Sequence, residues 1–565
     1  MRHLTSPIML LLGAWASGLQ LDAYENIRNN GNNNNKKKAL SIETVATQMD
    51  EYLRMVGNGS SNARNVLPGS RSPFGGCILA CSFLDFTHPG QIAYPHDPVY
   101  EFEESRYWSV QQASASPICR FSPVDAMGVS RAVLTVQIAP CKFAVKSGGH
   151  AAFRGASNID EGLTIDLTNL KQITVSADST ETAVGSGNVW YDVYSALQPR
   201  RLSVVGGRVS AIGVGGLTTG GGISFFSGRY GWACDNVNSY EVVFADGSIR
   251  DVTYSTYPDL YLALRGGGNN FGIVTRFDLV TFPQGDLWAG STTYLYSNRT
   301  SDSLNHALYW LNINAAADKY AQVILAYAYV QSLDTYIIAS DLQYGKPVAS
   351  PPALQNFTAT PGAIATTLRV TNLTGLVAEF NGSNPGGFRQ VSCRAADGSR
   401  MLTSNRQTYW TLTMKNSPSL MAQIVSFFME ESRGVRDAAD IVPSVTFQPI
   451  PLDVISHFSK NGGNALGITG ADGPLILFNL VYSWSSAGDD SRILAAARRI
   501  ISRSNSTAYS RGLGHAFIYQ NYAALEQPVF PGYGRQNLAR LRAASRKYDP
   551  KGVWQKMQPG YFKLF

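Results

Sequence analysis

The chain has 565 residues, 44% of them hydrophobic and 15% charged, which exceeds what one hydrophobic core usually supports and excludes a disordered polymer. Its formal net charge of +7 is small for that length and its Lys and Arg residues are scattered, which argues against a nucleic-acid partner. The cysteines at 77, 81, 119, 141, 234 and 393 have no CxxC spacing and no companion His cluster, so no metal site is expected.

In chain order, a basic Arg2, an apolar run from Ile8 to Trp15 and the small residues Ala14, Ala16, Ser17 and Gly18 read as a signal peptide over residues 1–18. The protein is therefore expected to be secreted or to reside in the secretory-pathway lumen, where disulfides form. Residues 19–76 read as an extension, its run Asn32 to Asn35 and Lys36-Lys37-Lys38 forming a solvated linker. Sequons begin at Asn58, Asn298, Asn356, Asn372, Asn381 and Asn505 and are compatible with a secreted glycoprotein. A helix is expected from a capping Ser122, with Val129, Ala132, Val133 and Val136 on one face. A strand follows at Phe143 to Lys146. Gly162 to Leu170 alternates, with Leu163, Ile165 and Leu167 inward and Thr164, Asp166 and Thr168 outward. Another strand lies at Thr182 to Val184, and a helical stretch at Val189 to Leu197. Tyr240 to Ala245 and Ile249 to Tyr254 flank Asp246-Gly247, a pair suited to a tight hairpin because both residues accept positive φ. Pro283 to Leu287 reads as a domain junction, followed by ordinary sheet and helix to about Arg511. A last helix through Leu538, Leu541 and Ala544 stops before Pro550. No later segment looks transmembrane.

Four glycine-rich loops punctuate this pattern. Lys146-Ser147-Gly148-Gly149-His150 ends a strand in two glycines that let backbone amides approach an anion and deliver an imidazole to a fixed point. Gly185-Ser186-Gly187 leads into a helix start. Gly213 to Gly216 with Gly220-Gly221-Gly222, and Gly266 to Gly272, have too little side chain to pack a core. Taken singly, each loop reads more readily as a tight turn; together they point to a large phosphate-bearing cofactor. No Gly-x-x-x-x-Gly-Lys-Ser/Thr and no dinucleotide fingerprint is present.

The segments KSGGH and GASN within Phe143 to Ile165, GGRVSAIGVGGLTTGGGISFFSGRYGWACDNV from Gly206, RGGGNNFGIVTRFDL from Arg265, YQNYAALEQ from Tyr519 and KYDPKGVWQKMQPGYFKL from Lys547 resemble the vanillyl-alcohol oxidase and p-cresol methylhydroxylase superfamily. The likeness is greatest to fungal berberine-bridge-enzyme-like FAD-linked oxidoreductases, and it runs from about Cys77 to Phe565. It implies an α+β fold: a split, two-subdomain FAD-binding domain with an inserted substrate domain, an antiparallel sheet covered by helices. The expected boundaries are a lead-in over 77–112, the FAD-binding domain over 113–285, the substrate domain over 286–511 and a returning segment over 512–565.

By that resemblance FAD is the cofactor, attached covalently through His150. Lys146, Ser147, Gly148, Gly149, Gly155, Ser157, Gly185, Gly187, Gly213, Gly215, Gly216, Gly221, Gly222, Asn269, Gly272, Ile273 and Val274 are the expected cofactor-binding residues. Many relatives add a cysteinyl bond from the position that is Val209 here, so single attachment and a more open site are expected. In plant members the residue at Ile212 influences oxygen access, Val permitting and Leu restricting it; isoleucine leaves this open beside a plain packing role. The resemblance also implies a Cys81–Cys141 disulfide and a buried free thiol at Cys234.

Catalysis in the family passes a hydride to the flavin while a base takes a proton. Tyr519 and Tyr522 are the candidate bases, of which the one that acts would need a cation or the flavin itself to lower it because a phenol titrates near pH 10, with Asn521 as an orienting partner. Both tyrosines could instead be packing residues, and an acid in the middle domain could be the base. The partners implied are a small-molecule substrate and molecular oxygen or another electron acceptor. Three readings follow: a tailoring oxidase or dehydrogenase of secondary metabolism, which we favour; a secreted carbohydrate oxidase producing hydrogen peroxide; and a flavin-scaffold binding protein without turnover.

Overall fold

The computed structural model describes residues 40–59, 75–382 and 405–565. The expected signal peptide, the Asn and Lys runs and Cys393 lie outside the described residues. Among the described residues no helix is long and apolar enough to cross a membrane.

Among the described residues three sheets form the framework. The first is ordered β1-β2-β4-β3, from β1 (Ile92–Ala93), β2 (Cys119–Phe121), β3 (Phe143–Lys146) and β4 (Leu163–Asp166). β2 and β3 both run parallel to β4, which is sandwiched between them. The expected alternation of Gly162 to Leu170 fails here: all four residues of β4 are buried, Thr164 and Asp166 fully. Central parallel strands are covered on both faces, so their polar side chains are kept only where partners wait inside. Asp166 has two such partners, described below.

Helices α1 (Gly75–Thr87) and α2 (Ala126–Ile138) pack against each other beside this sheet. The cap of α2 is Asp125, which accepts from the Gly128 N–H at 2.8 Å, and not Ser122. Ser122 is held in extended chain by its N–H to Gln91 O, and Pro123 follows it. The disulfides are Cys77–Cys141 and Cys81–Cys119, which corrects the expected Cys81–Cys141 pair. Cys77 and Cys81 stand one helical turn apart on the same side of α1, so each meets a different strand entry. Cys234 is free and buried.

The second sheet is antiparallel: β5 (Ile173–Val175), β6 (Glu181–Gly185), β7 (Leu202–Val204), β8 (Val237–Val243), β9 (Ile249–Val252) and β10 (Ile273–Pro283), in the order β5-β6-β10-β8-β9 with β7 also on β10. β8 and β9 form the hairpin across Asp246-Gly247, with Gly247 at φ +79°. Between its strands lie α3 (Trp190–Leu197) and α4 (Val214–Thr219). The third loop of the sequence reading is thus partly a helix, capped by Gly213, with Val214 and Thr218 buried.

The third sheet has nine strands: β11 (Leu287–Leu295), β12 (Ala321–Val330), β13 (Thr335–Tyr344), β14 (Ala363–Thr366), β15 (Arg369–Thr371), β16 (Arg406–Lys415), β17 (Val442–Ile450), β18 (Leu475–Trp484) and β19 (Gly514–His515), all pairing antiparallel. Its period of two sorts the faces. Val323, Leu325, Tyr327, Ile338, Val445 and Phe447 are buried, and α5 (Asn298–Asn314), α6 (Pro418–Ser432) and α7 (Asp490–Ser510) cover that side with stripes such as Leu420, Ile424 and Phe428. The intervening residues face a cavity. The chain then returns through α8 (Arg535–Tyr548) to the second sheet, where the Asn269 and Asn270 side-chain amides donate to the Gly560 and Phe562 carbonyls at 3.2 and 3.0 Å.

A buried ionic network underlies the first sheet. Arg120 on β2 donates to Glu104 and to Asp166, and Lys146 donates to Glu103 at 2.7 Å and to Asp166 at 2.9 Å. Removing one partner of a buried pair strands the other charge, at a cost of roughly 3–5 kcal/mol. Arg120→Leu is therefore expected to destabilise the protein by about that amount in chemical denaturation. A loss under about 1 kcal/mol would mean that Glu104 and Asp166 are held by other groups.

Candidate active site

A cavity of about 720 Å³ lies between the glycine-rich turns of the first two sheets and the open face of the third. Its near wall is Ser147-Gly148-Gly149-His150, Gly213, Gly215, Gly216, Gly268, Asn269 and Gly272-Ile273-Val274. These loops, separate in sequence, are brought together because their backbones touch. A Cβ added to Gly148 would lie 2.4 Å from Gly213 N, and one added to Gly213 would lie 2.4 Å from Gly148 N. Ser147 Oγ pins the junction, donating to Ser186 O at 2.6 Å and accepting from Gly215 N–H at 3.2 Å. A Cβ at Gly216 would meet nothing within 4 Å. This cradle of bare backbone, open at Gly216, fits a large phosphate-bearing cofactor.

Some expected cofactor residues stand elsewhere. The Lys146 ammonium is spent on Glu103 and Asp166, behind the wall. Gly185 and Gly187 are pressed onto the Leu170 and Leu167 carbonyls, where a Cβ would come within 2.2 and 2.0 Å. The start of α3 that follows them is capped from within, Val189 N–H donating to Asp192, so only Ser186 of that loop reaches the cavity. Gly221 and Gly222, at φ +118° and +89°, turn the chain against Trp232 and Ala233. Gly155, at φ +82°, packs its carbonyl against Gly560. Ser157 does line the cavity, with its N–H and hydroxyl both on Gln112 Oε1.

His150 stands half-buried in the wall, its ring stacked on Trp108 at 4.4 Å between centroids and 7° between planes. Trp108 and Ala152 pack with Val209, Ala211, Ile212 and Tyr409. Val209 and Ile212 thus belong to a small apolar cluster beside the imidazole, and both reach the cavity.

Tyr519, Asn521 and Tyr522 meet beside this wall, and the two tyrosine hydroxyls differ in surroundings. Tyr519 is buried; its oxygen accepts from the Gly222 and Ile223 N–H groups at 3.2 Å and from Asn521 Nδ2 at 3.1 Å. Burial pushes this phenol above its ordinary value, against the pull of those donors. Tyr522 faces the cavity with its oxygen accepting from Arg208 Nη2 at 2.8 Å and from Gln448 Nε2 at 3.4 Å. Arg208 also donates to Gln448 Oε1 at 2.7 Å.

The far wall is the open sheet face: Ser291, Thr293, Ile324, Ala326, Ala328, Ile337, Ala339, Asp341, Val442, Ser444, Thr446, Gln448, Asn479 and Val481. Burial raises Asp341 to about 6, with Ser291 and Arg208 pulling it down and Glu379 pushing it up. At the other end, burial lowers Lys563 to about 7, where it donates to Asn269 Oδ1 at 3.2 Å. Trp108, Arg208, Tyr409, Gln448 and Asp341 escaped the sequence reading. Arg208 adjoins Val209 in the Gly-Gly-Arg element and was within reach; the others sit on ordinary strands or in the lead-in, where no motif marks them.

The profile of the FAD binding domain family matches residues 117–253. The chain is similar to the FAD-dependent monooxygenase tpcD of Cochliobolus heterostrophus, 32% identical over 510 residues, covering 87% of this chain and 95% of that one. Among solved structures it is similar in fold to 6-hydroxy-D-nicotine oxidase of Arthrobacter nicotinovorans, at 17% identity and TM-score 0.67, over 82% of this chain and 96% of that one. It is also similar in fold to the xylooligosaccharide oxidase of Myceliophthora thermophila, at 18% identity and TM-score 0.66, over 86% and 98%.

Two glycines separate cradle from scaffold. Gly216→Ala places a methyl in open cavity and within a helix, so the melting temperature should hold or rise slightly while the flavin-to-protein ratio falls. Gly187→Ala drives a methyl into the Leu167 carbonyl and should cost roughly 1–3 kcal/mol of stability. Thermal unfolding paired with visible absorption checks both; full flavin in Gly216→Ala would remove that glycine from the cradle.

Proposed function

The chain belongs to the family of FAD-dependent oxidoreductases that its relatives define, and on that premise we propose that it oxidises a small organic molecule, as a tailoring step in secondary metabolism, with FAD held covalently through His150 alone. One observation carries this reading: a cavity has a bare-backbone cradle and an imidazole on one wall, an arginine-bound tyrosine beside them, and opposite a sheet face that mixes aliphatic side chains with hydroxyl, amide and carboxyl groups. Bound FAD supplies the two-electron acceptor, taking a hydride from the substrate. Val209 has no thiol, so His150 is the one tether assigned.

Tyr522 is assigned the proton. Its oxygen lies in the cavity with the Arg208 guanidinium at 2.8 Å, so a positive charge stands where negative charge would develop when the substrate's hydroxyl or amine is deprotonated. Gln448 accepts from the same Arg208 Nη2 at 2.7 Å and donates to the Tyr522 oxygen at 3.4 Å, closing a three-way contact. Tyr519 is assigned to position, since Asn521, which also donates to Leu217 O, and two backbone amides take up its oxygen. The far wall offers a substrate aliphatic contacts from Ile324, Ala326, Ala328, Ile337, Ala339, Val442 and Val481 and hydrogen-bonding groups from Ser291, Thr293, Ser444, Thr446 and Asn479. The tailoring reading is favoured over a carbohydrate oxidase because the 32% identical relative is an FAD-dependent monooxygenase, whereas the xylooligosaccharide oxidase, at 18% identity, is similar in fold alone. The disulfides support passage through an oxidising compartment.

The first test is acid precipitation of the purified yellow protein beside His150→Ala. Colour should stay in the wild-type pellet and wash from the variant; wild-type colour in the supernatant would defeat covalent attachment and leave FAD binding standing. With a reducing substrate in hand, Tyr522→Phe should keep its flavin and slow flavin bleaching by roughly 100-fold or more. Unchanged bleaching would return the base to another residue, with Asp341 first in line.

A further inference from the structure

We propose that Trp108 positions the His150 imidazole for its bond to the flavin, acting from the apolar corner that it shares with Val209. The proposal rests on the covalent reading above.

The His150 loop is stitched down from one direction. Tyr107 lies beneath Gly149, where a Cβ would be 2.9 Å from its ring, and donates its hydroxyl to Ser157 O at 3.0 Å. Trp108 N–H donates to Gly149 O at 3.1 Å. Ser109 Oγ and Gln112 Nε2 both donate to Ala151 O, at 3.1 and 2.9 Å, and Gln112 Oε1 accepts from Ser157. With the carbonyls on either side of His150 fixed, the histidine keeps two side-chain torsions. The indole removes much of the second, because a ring 7° from parallel at 4.4 Å leaves little room for the imidazole to flip about its bond.

That restriction matters chemically. The lone pair of an imidazole nitrogen lies in the ring plane, so fixing the plane fixes the direction of attack. Attachment exchanges one C–H of the flavin's 8α-methyl group and the imidazole N–H for a single C–N bond; the two hydrogens, with their electrons, pass to dioxygen as hydrogen peroxide. While the bond forms, the imidazole carries positive charge, and an indole face is the best aromatic partner for a cation. The indole is itself held: Tyr409 meets it edge-on at 4.8 Å and 69°, and Val209 and Ile212 pack in the same cluster. Val209 therefore stands in a packed apolar corner shared with the indole.

The test compares wild type with Trp108→Leu and Trp108→Phe, expressed alike and supplied with FAD in air, following total flavin by visible absorption and acid-stable flavin by precipitation and intact mass. Trp108→Leu should bind FAD and form the acid-stable bond roughly tenfold more slowly or worse, and Trp108→Phe, which restores a flat face, should recover most of the rate. Acid-stable flavin forming at the wild-type rate in Trp108→Leu overturns the proposal, as does a Phe variant no better than Leu. Should Trp108→Leu not fold, Tyr409→Leu frees the indole from its edge contact and must slow the bond; an unchanged rate there also overturns it. A wild type without acid-stable flavin defeats the covalent reading and is distinguished before any variant is compared.

Discussion

Asp166 accepting from both Arg120 and Lys146 is the interaction on which the site is built. A carboxylate, a guanidinium and an ammonium taken out of water cost several kcal/mol each unless they find one another, so β2, β3 and β4 can come together only in the register that brings all three into contact. The same charges reach out of the sheet to Glu103 and Glu104 in the lead-in, and Arg120 also donates to Tyr107 at 3.3 Å. The network therefore seats the segment that carries Trp108 and Gln112 against the turn that carries Gly149 and His150. Stability and site geometry are one constraint here, because a charge left unpaired would release the brace on the histidine.

The glycines divide by what stands over them. Gly148 against Gly213, and Gly187 against Leu167, are places where two backbones meet and no Cβ fits. Gly216 has no such neighbour; its openness is toward the cavity. Both kinds look identical as letters. Opposite them, the third sheet makes its wall by alternation alone: each residue turned from the helices must face the cavity, and small ones such as Ala326, Ala328 and Ala339 leave it room. Fold and pocket thus arise from one periodicity read on two faces.

This explains what the sequence could disclose. Long ordered motifs around the glycine turns carried the cofactor and the fold class, and the hairpin at Asp246-Gly247 followed from turn chemistry. Local reading failed where tertiary burial decides. Thr164 and Asp166 looked like an outer face until a parallel neighbour on each side enclosed them. Lys146 was expected among the cofactor-binding residues, and its carboxylate partners, 43 and 20 residues away in the chain, could not be seen locally. Cys77 and Cys81, a helical turn apart, were separable only once α1 was placed against the strands. Trp108, Tyr409 and Asp341 are single residues on unremarked elements, and only folding brings Tyr409 and Asp341 to the cavity and Trp108 against His150.

The two tyrosines of the Tyr-x-Asn-Tyr element show how neighbours of one chemistry acquire different work. Their rings meet edge to face at 4.9 Å, so neither moves without the other. Tyr519 gives its oxygen to Gly222, Ile223 and Asn521, fastening the returning chain to the turn at Gly221-Gly222 that no side chain could follow. Those donors pull toward the charged form, but burial outweighs them and keeps the phenol neutral. Tyr522, three residues on, turns instead toward Arg208 and the cavity. A fixed, neutral ring thus supports a second ring whose oxygen meets a cation, and the distinction between anchor and reagent comes from what each oxygen accepts, since the two side chains are the same.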